Sequence, residues 1–381
     1  MGGCMNLMLR RRAMMSSGPK APGVASYTVD QTVQKASTDM ISVSSACTAM
    51  LKAIHNASHL YVGELSNGVL QCKQVSDSDK TLYTDGTSVV YNSTKNLFMK
   101  LPRFWYKGDP DPLNDDIFTV TFTMEDPNDN SWNEWAGDTF IGVYAGCVDN
   151  NILRSISGSN TCVRTTLANY RSYARANGTG FTCLTYEVCQ ILTLLGFGYL
   201  KSVSTLQDYS YGYNNTYNVV SGGCDSLGMT EGRVNNDSNF WGLENYITAH
   251  GQNDFLDNFG YLYANGQYTF QIFDTSDLST VIRSLTPISN DLRSNAWVRK
   301  MLFGANCDIV PKERVTSRPP NTDGFGGFVG CAQVNGSVIT RVSNANSNNT
   351  SFFGVTSFNN ANTAANYTSS RLCYKGNYII L

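Results

Sequence analysis

Charge is scarce in this chain. Lys, Arg, Asp and Glu make up only 15% of its 381 residues, and the formal net charge is -2. No basic field is available to neutralise a phosphate backbone, so nucleic acid is not an expected partner. Histidine is rarer still: His55, His59 and His250 are all there is, and none of the 11 cysteines forms a CxxC pair. Zinc needs clustered Cys and His, so no metal and no cofactor is expected. The odd, scattered thiols read as mostly buried free cysteines made in a reducing compartment, with one or two disulfides left open. No run of ~20 apolar residues occurs, so no membrane insertion is expected. The opening MGGCMNLMLRRRAMMSSG places Arg10, Arg11 and Arg12 before no apolar stretch, so residues 1–26 read as a flexible basic arm and not a targeting signal. HExxH, GxSxG and the P-loop are all missing, which leaves an enzyme reading without a motif.

Aromatic residues are plentiful, at 12%, with 21 Tyr, 18 Phe and 5 Trp. That many rings can bury a sizeable core, and the polar surface must then come from Asn, Ser, Thr, Gly and Tyr. Val33, Ala36, Met40, Val43, Cys47, Met50 and Ile54 alternate by three and four, the spacing of a short coiled-coil seam or of an amphipathic helix packing on its own domain. "LYVGEL" and "VLQCKQV" flank Asn67-Gly68, a hairpin signal, and Asp85-Gly86 repeats it. A helix plus small β module is therefore expected over 27–97, followed by a larger domain over 98–381. "DIFTVTFTM" reads as a strand from Asp116 to Met124. "LANYRSYARANGTGF" and "TYEVCQILTLLGFGYLKS" read as two helices, the second with Val188, Ile191, Leu192, Leu195 and Tyr199 on one face and Gly196 and Gly198 ending it. Short strands follow in "QYTFQIF", "WVRKMLF" and "SVITRVS", so the fold class is α+β and rich in loops.

Two constellations look chemical and neither is complete. Asp126, Asn128 and Asn130 alternate like the start of a calcium loop, but the turn glycine and the closing Glu are absent. Glu244, His250, Asp254 and Asp257 lie close in sequence, yet a lone His beside carboxylates is more often a hydrogen-bonded structural group. "PRFWYK", "SWNEW" and "FWGLENY" place Trp beside polar groups that can accept its indole N–H, which is the pattern of core packing.

The C-terminal region is the unusual one. Eight asparagines fall between Asn344 and Asn366, and no charged residue lies between Arg341 and Arg371. Phe352, Phe353, Val355 and Phe358 interrupt the polar tract, and Arg371-Leu372-Cys373-Tyr374 closes it. Asn and Ser offer adaptable hydrogen bonds and Tyr offers rigid contact area, a composition suited to recognition. The bland alternative is a solvated loop without a partner.

"LPRFWYK" at 101–107, "PNDNSWNEWAGDTFIGVYAG" at 127–146, "YRSYARANGTGFTCLTYEVCQILTLLGFGYL" at 170–200, "NFWGLENY" at 239–246, "WVRKMLFGANCDIVPKE" at 297–313 and "SRLCYKG" at 370–376 occur in this order. Together they resemble the variable proteins of diversity-generating retroelements, of the phage tail-tip and adhesin type, over about residues 60–381. The resemblance implies a C-type lectin fold of the formylglycine-generating-enzyme subtype, preceded here by the small β-rich module. It implies a variable region of about 318–370, rewritten by a reverse transcriptase acting at adenines. The positions it marks as a ligand-binding face are Asn321, Asp323, Phe325, Asn335, Asn344, Asn346, Asn348, Asn349, Asn359, Asn360, Asn362, Asn366 and Tyr367. The implied role is a receptor-binding protein at a phage tail-fibre tip in the virion, contacting a bacterial surface protein or glycan. The N-terminal region would meet other tail proteins, and the resemblance and the heptad spacing both allow a homotrimer. The alternatives are a bacterial surface adhesin, an enzyme related to formylglycine-generating enzymes, and a structural fibre protein with no receptor. The chain departs from the family where relatives carry a Trp-rich run and it reads "ENYITAHGQNDFLDNF", so different packing around Tyr246 is expected. Neither the enzyme relatives' catalytic cysteines nor a Glu-Pro-Asn calcium triad maps onto it, so neither catalysis nor calcium-dependent sugar binding is implied.

Overall fold

A computed structural model describes residues 23–32, 38–162, 164–203, 219–235, 237–246, 253–286, 296–304, 306–315, 328–330, 337–344, 349–358 and 368–381. The chain is a mixed α+β protein, rich in strands, with three α-helices among the described residues. None of these helices is long and apolar enough to cross a membrane.

The Asn67-Gly68 signal is a tight turn, with φ of 50° and 76°, joining His59–Ser66 to Val69–Ser76. These two strands belong to a sheet that also holds Asn96–Lys100, Thr139–Gly142, Leu372–Lys375, Phe181–Cys183 and Tyr378–Ile380, with Asp79–Tyr83 on its flank. The last strands of the chain thus complete a sheet begun near residue 59. The boundary expected at residues 97–98 falls within the strand Asn96–Lys100 of this sheet. A second sheet pairs Ile41–Val43, Ala25–Asp30, Asn114–Thr123, Phe104–Asp111 and Asn133–Trp135 in that order. Ala25–Asp30 alternates buried and half-buried residues, as a strand with one covered face should.

The heptad-like spacing is broken by this second sheet. Ile41–Val43 is a strand, and the helix α1 begins only at Ser45 and ends at Asn56. Ser44 caps it, its hydroxyl accepting from the Cys47 amide at 3.0 Å. Cys47, Met50, Leu51 and Ile54 are buried in the chain's own core, so α1 is the ordinary amphipathic helix of the two readings. Residues 33–37 lie outside the described set.

The two further helices are α2, Leu167–Arg175, and α3, Tyr186–Leu200. Burial on α3 covers far more than the expected single face: Tyr186 and every residue from Val188 to Gly198 are buried. The reason is position, because α3 packs against α1 on one side and against the strands Asn253–Ala264 and Asn349–Phe358 on another. Gly198 does not end the helix. A Cβ there would sit 2.7 Å from both Leu51 Cδ1 and Tyr27 Cδ1, so the glycine admits α1 and the first strand to the helix surface. The helix stops instead at Lys201, whose left-handed backbone (φ 53°) forms the C-cap.

A third and largest sheet runs Val281–Leu285, Gln267–Phe273, Asn253–Ala264, Ser337–Asn344, Asn349–Phe358, Phe328–Gly330, Ala296–Phe303, Ile309–Val315. Thr368–Ser369 adds to it beside Asn253–Asp254, in parallel. Of the nine described cysteines, eight are buried, and none is bonded to another described cysteine.

Candidate functional site

Most of the positions marked as a binding face are carried on connections of the third sheet. Asn321, Asp323, Phe325, Asn335, Asn346, Asn348, Asn359, Asn360, Asn362, Asn366 and Tyr367 lie outside the described residues, as does His250. Asn344 and Asn349 are described as backbone, paired across Ser337–Asn344 and Asn349–Phe358. The opposite end of that pair is Val338 against Phe358. Phe328–Gly330 runs parallel to Asn349–Phe358, with Gly330 beside Thr356. Gly330, Ser337 and Phe358 therefore gather at one end of the sheet, and Asn344 and Asn349 stand at the other. The first end holds the exits to the segments carrying Asn335 and Asn359. The strand ends that border Asn335, Asn346, Asn348 and Asn359 thus fall at two ends of one sheet, a division that no spacing in the sequence announces.

Where the chain returns from this region it is locked in place. Ser369, Ser370 and Arg371 are buried, and Ser369 Oγ donates to Asp254 Oδ1 at 3.2 Å. The Arg371 guanidinium donates to the carbonyls of Val143 at 2.8 Å and Glu244 at 2.6 Å, and its Nε stands 3.5 Å from Asp254 Oδ2. It also lies over the Tyr246 ring, 5.5 Å from its centre. Tyr246 is thereby packed under a buried cation. Leu372–Lys375 then enters the first sheet between Thr139–Gly142 and Phe181–Cys183.

A cavity of about 240 Å³ opens between the first sheet, the start of α3 and the strand Gln267–Phe273. Trp135, Phe273 and Tyr374 give it aromatic walls, and Thr182, Glu187 and Lys375 give it polar ones. Its geometry is set by Asn258. Asn258 Oδ1 accepts from the Tyr186 backbone amide at 2.9 Å, and Asn258 Nδ2 donates to both Glu187 oxygens at 3.1 and 2.9 Å. Arg283 stands behind, 3.7 Å from Glu187 and 3.2 Å from Asp308. Burial raises the Asp308 carboxyl to about 6, against the opposing pull of Arg283. Cys373 also lines the cavity, but burial pushes its thiol up to about 12, so it is no nucleophile at neutral pH. The chemistry on offer is hydrogen bonding and ring contact.

Sequence reasoning missed this cavity. Trp135 was visible as part of "SWNEW", but Glu187, Asn258 and Lys375 are distant in sequence and meet only through the fold. The carboxylates of the calcium-like stretch are spent locally: Asp126 accepts from the Asn128 amide at 2.9 Å, and Asp129 accepts from the Ser131 amide at 2.9 Å. Among the described residues, no group of three or more His, Cys, Asp or Glu is placed to hold a metal ion. No protein-family model matches the chain, and no curated protein matches it.

Proposed function

We propose that the chain is a receptor-binding protein of a phage tail-fibre tip, and that its C-terminal domain has a C-type lectin fold. In this reading residues of about 318–370 form a replaceable face, diversified by a retroelement, that contacts a bacterial surface protein or glycan without a metal. One observation supports the reading above others: strands inside this region are held by backbone pairing, and the residues just after it are buried. The ladder Ser337–Asn344 with Asn349–Phe358 uses main-chain groups, which every residue but proline supplies. The clamp at Arg371 lies beyond the region and would survive its rewriting. Exposed polar substitutions generally change stability by less than ~0.5 kcal/mol, so such a segment can vary while the fold persists.

The test is a triple change, Asn359, Asn360 and Asn362 to Ala. Unfolding free energy should stay within about 0.5 kcal/mol of the parent. Binding to the host cell surface should fall at least tenfold, measured by pull-down of labelled protein onto cells. Unchanged binding would overturn the assignment and leave the structural-fibre alternative standing.

A further inference from the structure

Away from the variable region, a lysine and an asparagine meet in the interior, with a glutamate on the neighbouring strand. Lys80 lies on Asp79–Tyr83 and is 1% exposed. Its Nζ donates to Asn239 Oδ1 at 2.7 Å. Asn239, on Asp237–Phe240, is fully buried, and its Nδ2 donates to the carbonyls of Gly228 at 2.9 Å and Thr230 at 2.7 Å. Carbonyls only accept, so these two bonds fix which end of the amide faces the lysine. Glu244 is the direct cross-strand partner of Asn239 and is 2% exposed. Its carboxyl accepts from the Gly222 amide at 2.9 Å and the Cys224 amide at 2.8 Å. The Tyr144 ring shields the amine, 5.8 Å from Nζ. Asp225, Cys224 and Arg371 are the other ionisable groups that act on Lys80.

We propose that Lys80 and Asn239 become joined by an intramolecular isopeptide bond. The uncharged amine attacks Asn239 Cγ, forming the Nζ–Cγ bond. The proton released from Nζ passes to Nδ2. The Cγ–Nδ2 bond then breaks, and ammonia leaves. One amide is exchanged for another, so no oxidant or co-reactant is needed. Burial favours the uncharged amine that the attack requires, because it lowers the pKa of the Lys80 ammonium. The bond would tie two strands 159 residues apart in sequence and close a covalent loop through the first sheet. Such a closure suits a protein that must hold its shape outside a cell.

The experiment is an intact-mass measurement on the full chain, followed by protease digestion. The expected result is a chain lighter than its sequence by one ammonia, with a branched peptide linking Lys80 to Asn239. Lys80→Arg and Asn239→Ala should both keep the full sequence mass. A folded parent chain at full mass overturns the proposal. So does a mass loss without the branched peptide, as a cyclised asparagine would give.

Discussion

Asp308 is a carboxyl whose surroundings change its chemistry. An ordinary carboxyl near 3.8 becomes one near 6 because it is 3% exposed, with Arg283 as its partial compensation. The folded state therefore holds this proton more tightly than the unfolded chain does. The stability that this group contributes is fully present below about pH 4 and is lost as pH rises through 6. A shift of this size corresponds to a loss on the order of 3 kcal/mol. Asp308→Asn should remove that drop, so urea unfolding of parent and variant should diverge between pH 4 and 6. Parallel profiles would show that the carboxyl is not held as described. Nothing in "GANCDIVPKE" marks Asp308 as buried, because Arg283 and Glu187 reach it from other elements.

At the scale of elements, periodicity located helices well and mistook their surroundings. Met50 and Ile54 were legible as apolar positions, but the run of threes and fours extends into a strand at Ile41–Val43. Short apolar spacings arise by chance in strands and turns as well, and the preceding sheet decides which part coils. Leu51, absent from the seam, is fully buried in α1. Leu51→Ala should cost about 2–5 kcal/mol by leaving a cavity. The assembled mass by light scattering should not change, since α1 turns its apolar residues inward. A lighter assembly would return the helix to the role of an association seam. On α3, an apolar face was legible but burial on nearly every side was not, because the second layer that covers it comes from residues 253–264 and 349–358.

For the whole molecule, closure of the first sheet by the chain's last strands sets the terms of stability. Leu372–Lys375 separates Thr139–Gly142 from Phe181–Cys183, and Tyr378–Ile380 pairs in parallel with Val69–Ser76. Deleting residues 371–381 should abolish cooperative thermal unfolding, because it removes the buried Arg371 and parts the sheet. A truncated chain that still melts in one sharp transition, followed by circular dichroism, would show that the sheet closes without them.

By itself the amino-acid sequence determined the local matters: the Asn67-Gly68 turn, the places of α2 and α3, an aromatic core, and a neutral asparagine-rich stretch ended by "RLCY". Turn geometry, capping and composition act over a few residues, so they can be read from neighbours in the chain. Only the tertiary structure decided that "RLCY" closes a sheet opened by residues 59–76, and that Lys80 and Asn239 share one dry site. Sheet pairing is made by main-chain groups that are nearly the same in every residue, so the partner of a strand is chosen by the packing of the whole and not by its own letters.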